Sequence, residues 1–128
     1  MMVRQEVIQQ TGLFDESFFM YAEEVDWAWR IKRAGWKVLC VPAAHVTHLA
    51  GKSTSQVRPR STVDLWTSRL RLFDKHYPAW KRFTARQMIV WGMRHKIGQV
   101  QRASELSAAD RSAMIDAYRT VIKLAQKS

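Results

Sequence analysis

The sequence predicts a helix-rich α/β fold with two or three short strands and an incomplete sheet. Three long segments repeat apolar residues at helical spacing. Two short runs, Trp36 to Val41 and Ala44 to His48, are rich in β-prone residues. Because two strands do not make a stable sheet unaided, they are expected to pair with strands found elsewhere. The 128 residues are one domain's worth of chain, with 47% apolar and 25% charged residues, the composition of a globular protein.

In chain order, Val3 to Gln10 reads as a short helix stopped near Gly12, since glycine is the commonest residue just past a helix end. A connector from Leu13 to Tyr21 follows, unusually aromatic with Phe14, Phe18, Phe19 and Tyr21. Ala22 to Ala34 reads as a helix with acids in its first turn and Lys32 and Arg33 in its last, matching the helix dipole, and with Gly35 as its stop. Asp26 and Arg30 stand one turn apart and can pair. The two strands come next, separated by Pro42, and then a polar, glycine-containing loop at Ala50 to Ser55. Residues 61 to 76 form a helix with Val63, Trp66, Leu70 and Phe73 on one stripe as candidate core, halted before Pro78. A basic amphipathic helix is expected from Ala79 to Gly98, where Trp80, Phe83, Met88 and Trp91 interleave with Arg and Lys. Ser107 with Asp110 makes an N-cap pair for a last helix carrying Met114, Tyr118, Val121, Ile122 and Leu124.

Lys and Arg number 21 against 11 Asp and Glu, a formal charge of +10 that attracts anionic partners. The excess lies after Lys52, whereas an acidic cluster lies between Asp15 and Asp26. Cys40 is the single cysteine, so no internal disulfide forms, and its apolar neighbours predict a core position. No run of apolar residues reaches the length of a spanning helix, and residues 1 to 10 lack the apolar stretch of a signal peptide.

The chemistry gathers in three motifs: Gly12-Leu13-Phe14-Asp15-Glu16; Tyr21-Ala22-Glu23-Glu24-Val25-Asp26-Trp27 ending at Arg30; and Pro42 to His48 with Gly51 and Ser53 after it. A carboxylate among other carboxylates at a helix start suits removal of a proton from a hydroxyl nucleophile. In order and spacing the motifs resemble the acceptor-side half of family 2 glycosyltransferases, especially rhamnosyltransferase-like and galactofuranosyltransferase-like members. The likeness runs from Met1 to Ser53, and more loosely through Ser68 to Leu70 and Lys75 to Tyr77.

The resemblance implies the carboxy-terminal part of a GT-A fold, with residues 1–58 as the acceptor-side catalytic part and 59–128 as a helical extension. It implies an inverting transferase that moves a sugar from a nucleotide-sugar donor to a polysaccharide or lipid-linked acceptor of the cell envelope. Glu24 takes the base position, which in the family is often Asp. Asp15, Glu16, Tyr21, Glu23, Asp26, Trp27 and Arg30 support it or hold the acceptor. Gly51, Lys52 and Ser53 form the loop beside the donor diphosphate, and His48 is a ligand to a divalent metal, Mg or Mn. The family's D-x-D aspartates and nucleotide-binding half are absent from these residues, so the chain is expected to begin inside the fold and to be inactive alone. A cytoplasmic location is expected, with peripheral contact between the basic helix and an anionic membrane.

Other readings exist for the same residues. Acids at a helix start are favoured by the dipole alone, and His45 and His76 read as ordinary structural histidines. The rival function is a small basic helical module that binds nucleic acid through phosphates. It accounts for the charge and leaves the acidic, aromatic connector unused, so nucleic acid is the less favoured partner. A third reading is a non-catalytic remnant that packs on a partner through a sheet edge.

Overall fold

The computed structural model describes residues 1–45, 47 and 58–127. Among them five α-helices follow one another: α1 (Gln5–Thr11), α2 (Glu23–Arg33), α3 (Arg58–His76), α4 (Ala79–Arg102) and α5 (Ala108–Gln126). No strand occurs among the described residues, which overturns the expected α/β fold and its partial sheet. Trp36 to Val41 is irregular, and Val38, Leu39 and Val41 are 54%, 77% and 63% exposed. A strand exists only where a neighbour takes its backbone hydrogen bonds, and no described segment offers one. Cys40, expected in the core, is exposed, since no described segment folds over this run.

The helix ends follow from local chemistry. Gly12 adopts φ 72° and donates its N–H to the Ile8 carbonyl at 2.8 Å, closing α1. Gly35, at φ 90°, donates to the Lys32 carbonyl past the end of α2. Pro59 is tolerated because it lies in the first turn of α3, where its missing N–H has no partner to lose. Pro78 separates α3 from α4, and α4 continues past Gly98 to Arg102. Ser107 Oγ accepts the Asp110 N–H at 3.1 Å and starts α5.

The main core lies where α5 packs against both α3 and α4. Leu70, Ile89, Val90, Met93, Tyr118, Val121 and Ala125 are buried there, with Val63, Trp66 and Phe73 against them. Each fully buried side chain of this size contributes roughly 1.5–3 kcal/mol from water exclusion. Arg86 closes the assembly by a two-pronged pair with Asp74, at 2.9 and 2.8 Å, and by donating to the Leu124, Ala125 and Lys127 carbonyls at the end of α5.

A smaller unit precedes this bundle. Val7 of α1 meets Trp27 and Ile31 of α2. The Trp27 indole donates to Thr11 Oγ1 at 3.0 Å, and that hydroxyl donates to the Val7 carbonyl at 2.8 Å. The connector between the two helices rests on α3 through Phe18, Ala22 and Leu72, and Ser68 Oγ donates to the Met20 carbonyl.

Candidate functional site

Asp26 in the first turn of α2 is fully buried, which a carboxylate tolerates only with several donors around it. It has three. Arg30 Nε donates to Oδ2 at 2.9 Å, while Lys75 Nζ at 2.8 Å and His76 Nε2 at 2.7 Å both reach Oδ1. An ionised carboxylate only accepts, so the His76 proton sits on Nε2. Arg30 also donates to the Thr11 and Leu13 carbonyls, tying the end of α1 to α2. Lys75 bridges onward to Asp15 Oδ2 at 2.7 Å, and Asp15 Oδ1 accepts the Ser17 N–H at 2.9 Å.

The electrostatics follow from this geometry. Burial opposes the charge on Asp26, yet the hydrogen bonds from Lys75, His76 and Arg30 outweigh it and hold the carboxyl below its ordinary value. The Lys75 hydrogen bond, aided by Ser17, holds Asp15 far below the usual carboxylate range. Burial pulls Lys75 down, but Asp15 and Asp26 together push it above its ordinary value.

The cluster anchors a strained turn. Tyr21 and Ala22 both have φ 69°, a left-handed conformation that costs roughly 1–2 kcal/mol per non-glycine residue. It persists because Phe18 and Ala22 are buried against Leu72 on one side and Asp26 is locked on the other. The turn delivers two carboxylates at the start of α2. Glu24 is exposed, whereas Glu23 is half-buried and its Oε2 is buried with no hydrogen-bond partner among the described residues. A buried acceptor without a donor is costly, and its position beside the strained turn sets it apart from the paired carboxylates of Asp15 and Asp26.

The predicted residues thus separate. Asp15, Asp26 and Arg30 come together, but as a fastening of the fold rather than as open groups. Trp27 is buried against α1, with Phe14 edge-on to its ring at 5.0 Å. Glu16 is exposed and Tyr21 half-buried. His48, Gly51, Lys52 and Ser53 lie outside the described residues. The metal expectation rests on His48, which lies outside the described residues, and on aspartates that this sequence does not contain. No three His, Cys, Asp or Glu side chains gather among the described residues, and the oxygens of Asp15 and Asp26 are already held by cations.

The sequence reading carried the family likeness loosely through Lys75 to Tyr77 and took His76 as an ordinary structural histidine, but gave neither Lys75 nor His76 a part in the site. Beside that likeness, the signal for their contact was a positive pair at a helix end set against an acidic cluster some fifty residues earlier. It also left out the cleft of about 740 Å³ between the end of α2 and the start of α4, lined by Trp29, Lys32, Arg33, His76, Tyr77, Lys81 and Met88 among others. Trp29 stands edge-on to the His76 ring at 4.4 Å, and Arg33 lies over the Trp29 ring at 5.9 Å.

Comparison with known proteins finds a relative over part of the chain. Over 56 residues the chain is 43% identical to the N-acetylglucosaminyl-diphospho-decaprenol L-rhamnosyltransferase of Mycobacterium tuberculosis, in two strains. That stretch is 44% of this chain, and it spans 18% of the relative's length. The likeness supports a glycosyltransferase-like relationship. No family model and no solved structure matches the chain.

Proposed function

We propose that this chain is the acceptor-side part of an inverting, family 2 type sugar transferase that uses a nucleotide-sugar donor and a glycan or lipid-linked acceptor. The matched stretch of the rhamnosyltransferase carries the reading. The turn at Tyr21 and Ala22 agrees with it, since strained backbone held by a buried cluster is a common way to fix reacting groups. A sugar carried on a polyprenyl diphosphate is the acceptor class that the relative's name suggests.

In this proposal the Glu24 carboxylate takes the proton from an acceptor hydroxyl as its oxygen attacks the anomeric carbon. The bond from that carbon to the donor diphosphate breaks, and the nucleoside diphosphate departs from the opposite side. Glu23, half-buried beside Glu24, holds the acceptor in place. Asp26, Arg30, Lys75 and His76 position both glutamates without touching substrate. No step is assigned to a metal.

The test is Glu24→Gln in the transferase that carries this sequence, assayed by transfer of labelled sugar to a diphospholipid acceptor. Turnover is expected to fall about 10²- to 10⁴-fold with the circular dichroism spectrum unchanged, because the side chain is exposed. Undiminished turnover in that variant removes Glu24 from the role. The 128-residue chain by itself is expected to show no transfer.

A further inference from the structure

The solvent face of α4 combines exposed apolar side chains with uncompensated positive charge. The helix is 24 residues long and contains no Asp or Glu, while Lys81, Arg82, Arg86, Arg94, Lys96 and Arg102 are spread along it. At 100° per residue, Trp80, Met88 and Trp91 fall within an arc of about 80°, opposite the core face of Ile89, Val90 and Met93. These three outward side chains are 66%, 72% and 74% exposed, a large apolar area for a surface that is otherwise cationic. Beside the stripe opens the cleft described above, where Lys32 and Arg33 from the last turn of α2 face Lys81. None of those three cations has a carboxylate within ion-pair distance among the described residues.

We propose that this face of α4, with the cationic mouth of the cleft, docks on an anionic lipid bilayer. Trp and Met enter the boundary between headgroups and acyl chains, where an indole keeps its N–H in the wet layer. Lys32, Arg33, Lys81 and Arg94 then lie at headgroup level, where each basic residue adds electrostatic attraction to lipid phosphate. The helix rests on the surface and does not cross it: no helix among the described residues is long and apolar enough to span. Charge complementarity selects anionic lipid, and the exposed indoles and thioether select lipid over a nucleic-acid backbone, which offers them no apolar layer to enter. The inference stands on α4 itself and does not depend on the transferase reading.

The experiment is co-sedimentation of the purified chain with vesicles of phosphatidylglycerol and phosphatidylcholine in equal parts, against vesicles of phosphatidylcholine alone. Binding to the anionic vesicles is expected to be at least about tenfold tighter, weakened by salt, and accompanied by a blue shift of tryptophan emission. The triple variant Trp80→Ser, Met88→Ser, Trp91→Ser, all exposed positions, is expected to lose about tenfold or more in binding at unchanged helix content. Lys32→Glu with Lys81→Glu is expected to abolish the preference for anionic lipid. Equal binding to both vesicle types overturns the proposal, as does full binding by both variants. A random DNA duplex bound more tightly than the anionic vesicles at the same salt also overturns it, in favour of a nucleic-acid partner. So does a dimer in solution that the triple variant converts to monomer, since a second copy then covers the face.

Discussion

In the bundle of α3, α4 and α5 the most deeply buried side chains are Met93 and Val121, whereas in the unit of α1 and α2 the most deeply buried is Asp26. The first region is held by apolar burial and the second by a carboxylate with donors converging from α2 and α3. The two kinds of adhesion do different work. Apolar contact has no direction, so it gives the bundle stability while leaving small adjustments open. A buried carboxylate fixes the position of each donor to a few tenths of an ångström, because an unmet charge in the interior is costly. The apolar contacts of the smaller unit, chiefly Val7, Trp27 and Ile31, are too few to set such positions. Placement of Glu23 and Glu24 is therefore an electrostatic matter.

The strongest way to break this contrast is Asp26→Ala, which leaves Arg30, Lys75 and His76 facing an empty, buried space. The expected cost is about 3–5 kcal/mol, confined to the α1–α2 unit. Hydrogen exchange reads it directly. Amides of α2 are expected to exchange roughly 10²- to 10⁴-fold faster, while those of α5 keep their protection. Equal loss in both regions would show that the network supports the whole molecule and that the division into two regions is mistaken.

The complementary change is Met93→Ala, at a side chain 2% exposed in the centre of the bundle. Loss of its buried contacts is expected to cost about 2–5 kcal/mol, seen as a lower urea midpoint for α3, α4 and α5 together. A smaller cost would mean that neighbours such as Ile89 and Val121 collapse into the space.

These two regions were unequally legible in the sequence. The helices were read from signals within a few residues: Gly12 and Gly35 as stops, Pro78 as a break, Ser107 with Asp110 as a cap. The bundle core was equally plain, since Val63, Trp66, Leu70 and Phe73 repeat at helical spacing and all four face the core. Of the polar network in the smaller unit, only the one-turn pair of Asp26 with Arg30 could be foreseen. The rest of the network joins α2 to residues at the far end of α3, and no local pattern encodes a contact at that separation. The failed strands have the same origin. Val38, Leu39 and Val41 carry the side chains of a strand, but a strand is a property of a pair, and propensity says nothing about the partner.

Solution pH separates the regions from opposite ends. Asp15 and Asp26 have folded-state values below 3.8, so their contribution is present above that pH and is lost as pH falls through the lower folded values. Lys75 is raised above 10.5, so its contribution is present below that pH and fades only as pH rises beyond it. The smaller unit is thus expected to be steady from about pH 5 to about pH 10 and to open in acid. Tyr118 in the bundle is pushed above 10.0 by burial, so the bundle loses stability as pH rises past 10.0. Amide spectra of α2 and α5 followed across pH are expected to show α2 failing first in acid. Failure of α5 first in acid would contradict the assignment of these carboxylates as the fastening.

The smallest effect is also the most specific, because it separates holding the fold from presenting the carboxylates. Tyr21 pays for its left-handed backbone at φ 69°, and glycine adopts that conformation without strain. Tyr21→Gly is expected to relieve roughly 1 kcal/mol of strain, offset in part by the greater freedom of glycine in the unfolded chain. The net change in unfolding free energy should lie within about 1 kcal/mol of zero, measured by urea titration. Activity should behave otherwise. If the turn exists to aim Glu23 and Glu24, a glycine in place of the half-buried ring loosens that aim, and sugar transfer in the transferase that carries this sequence falls while stability does not. If transfer and stability both remain as they were, the turn is a by-product of packing Phe18 and Ala22 against Leu72, and the two glutamates are placed by Asp26 alone.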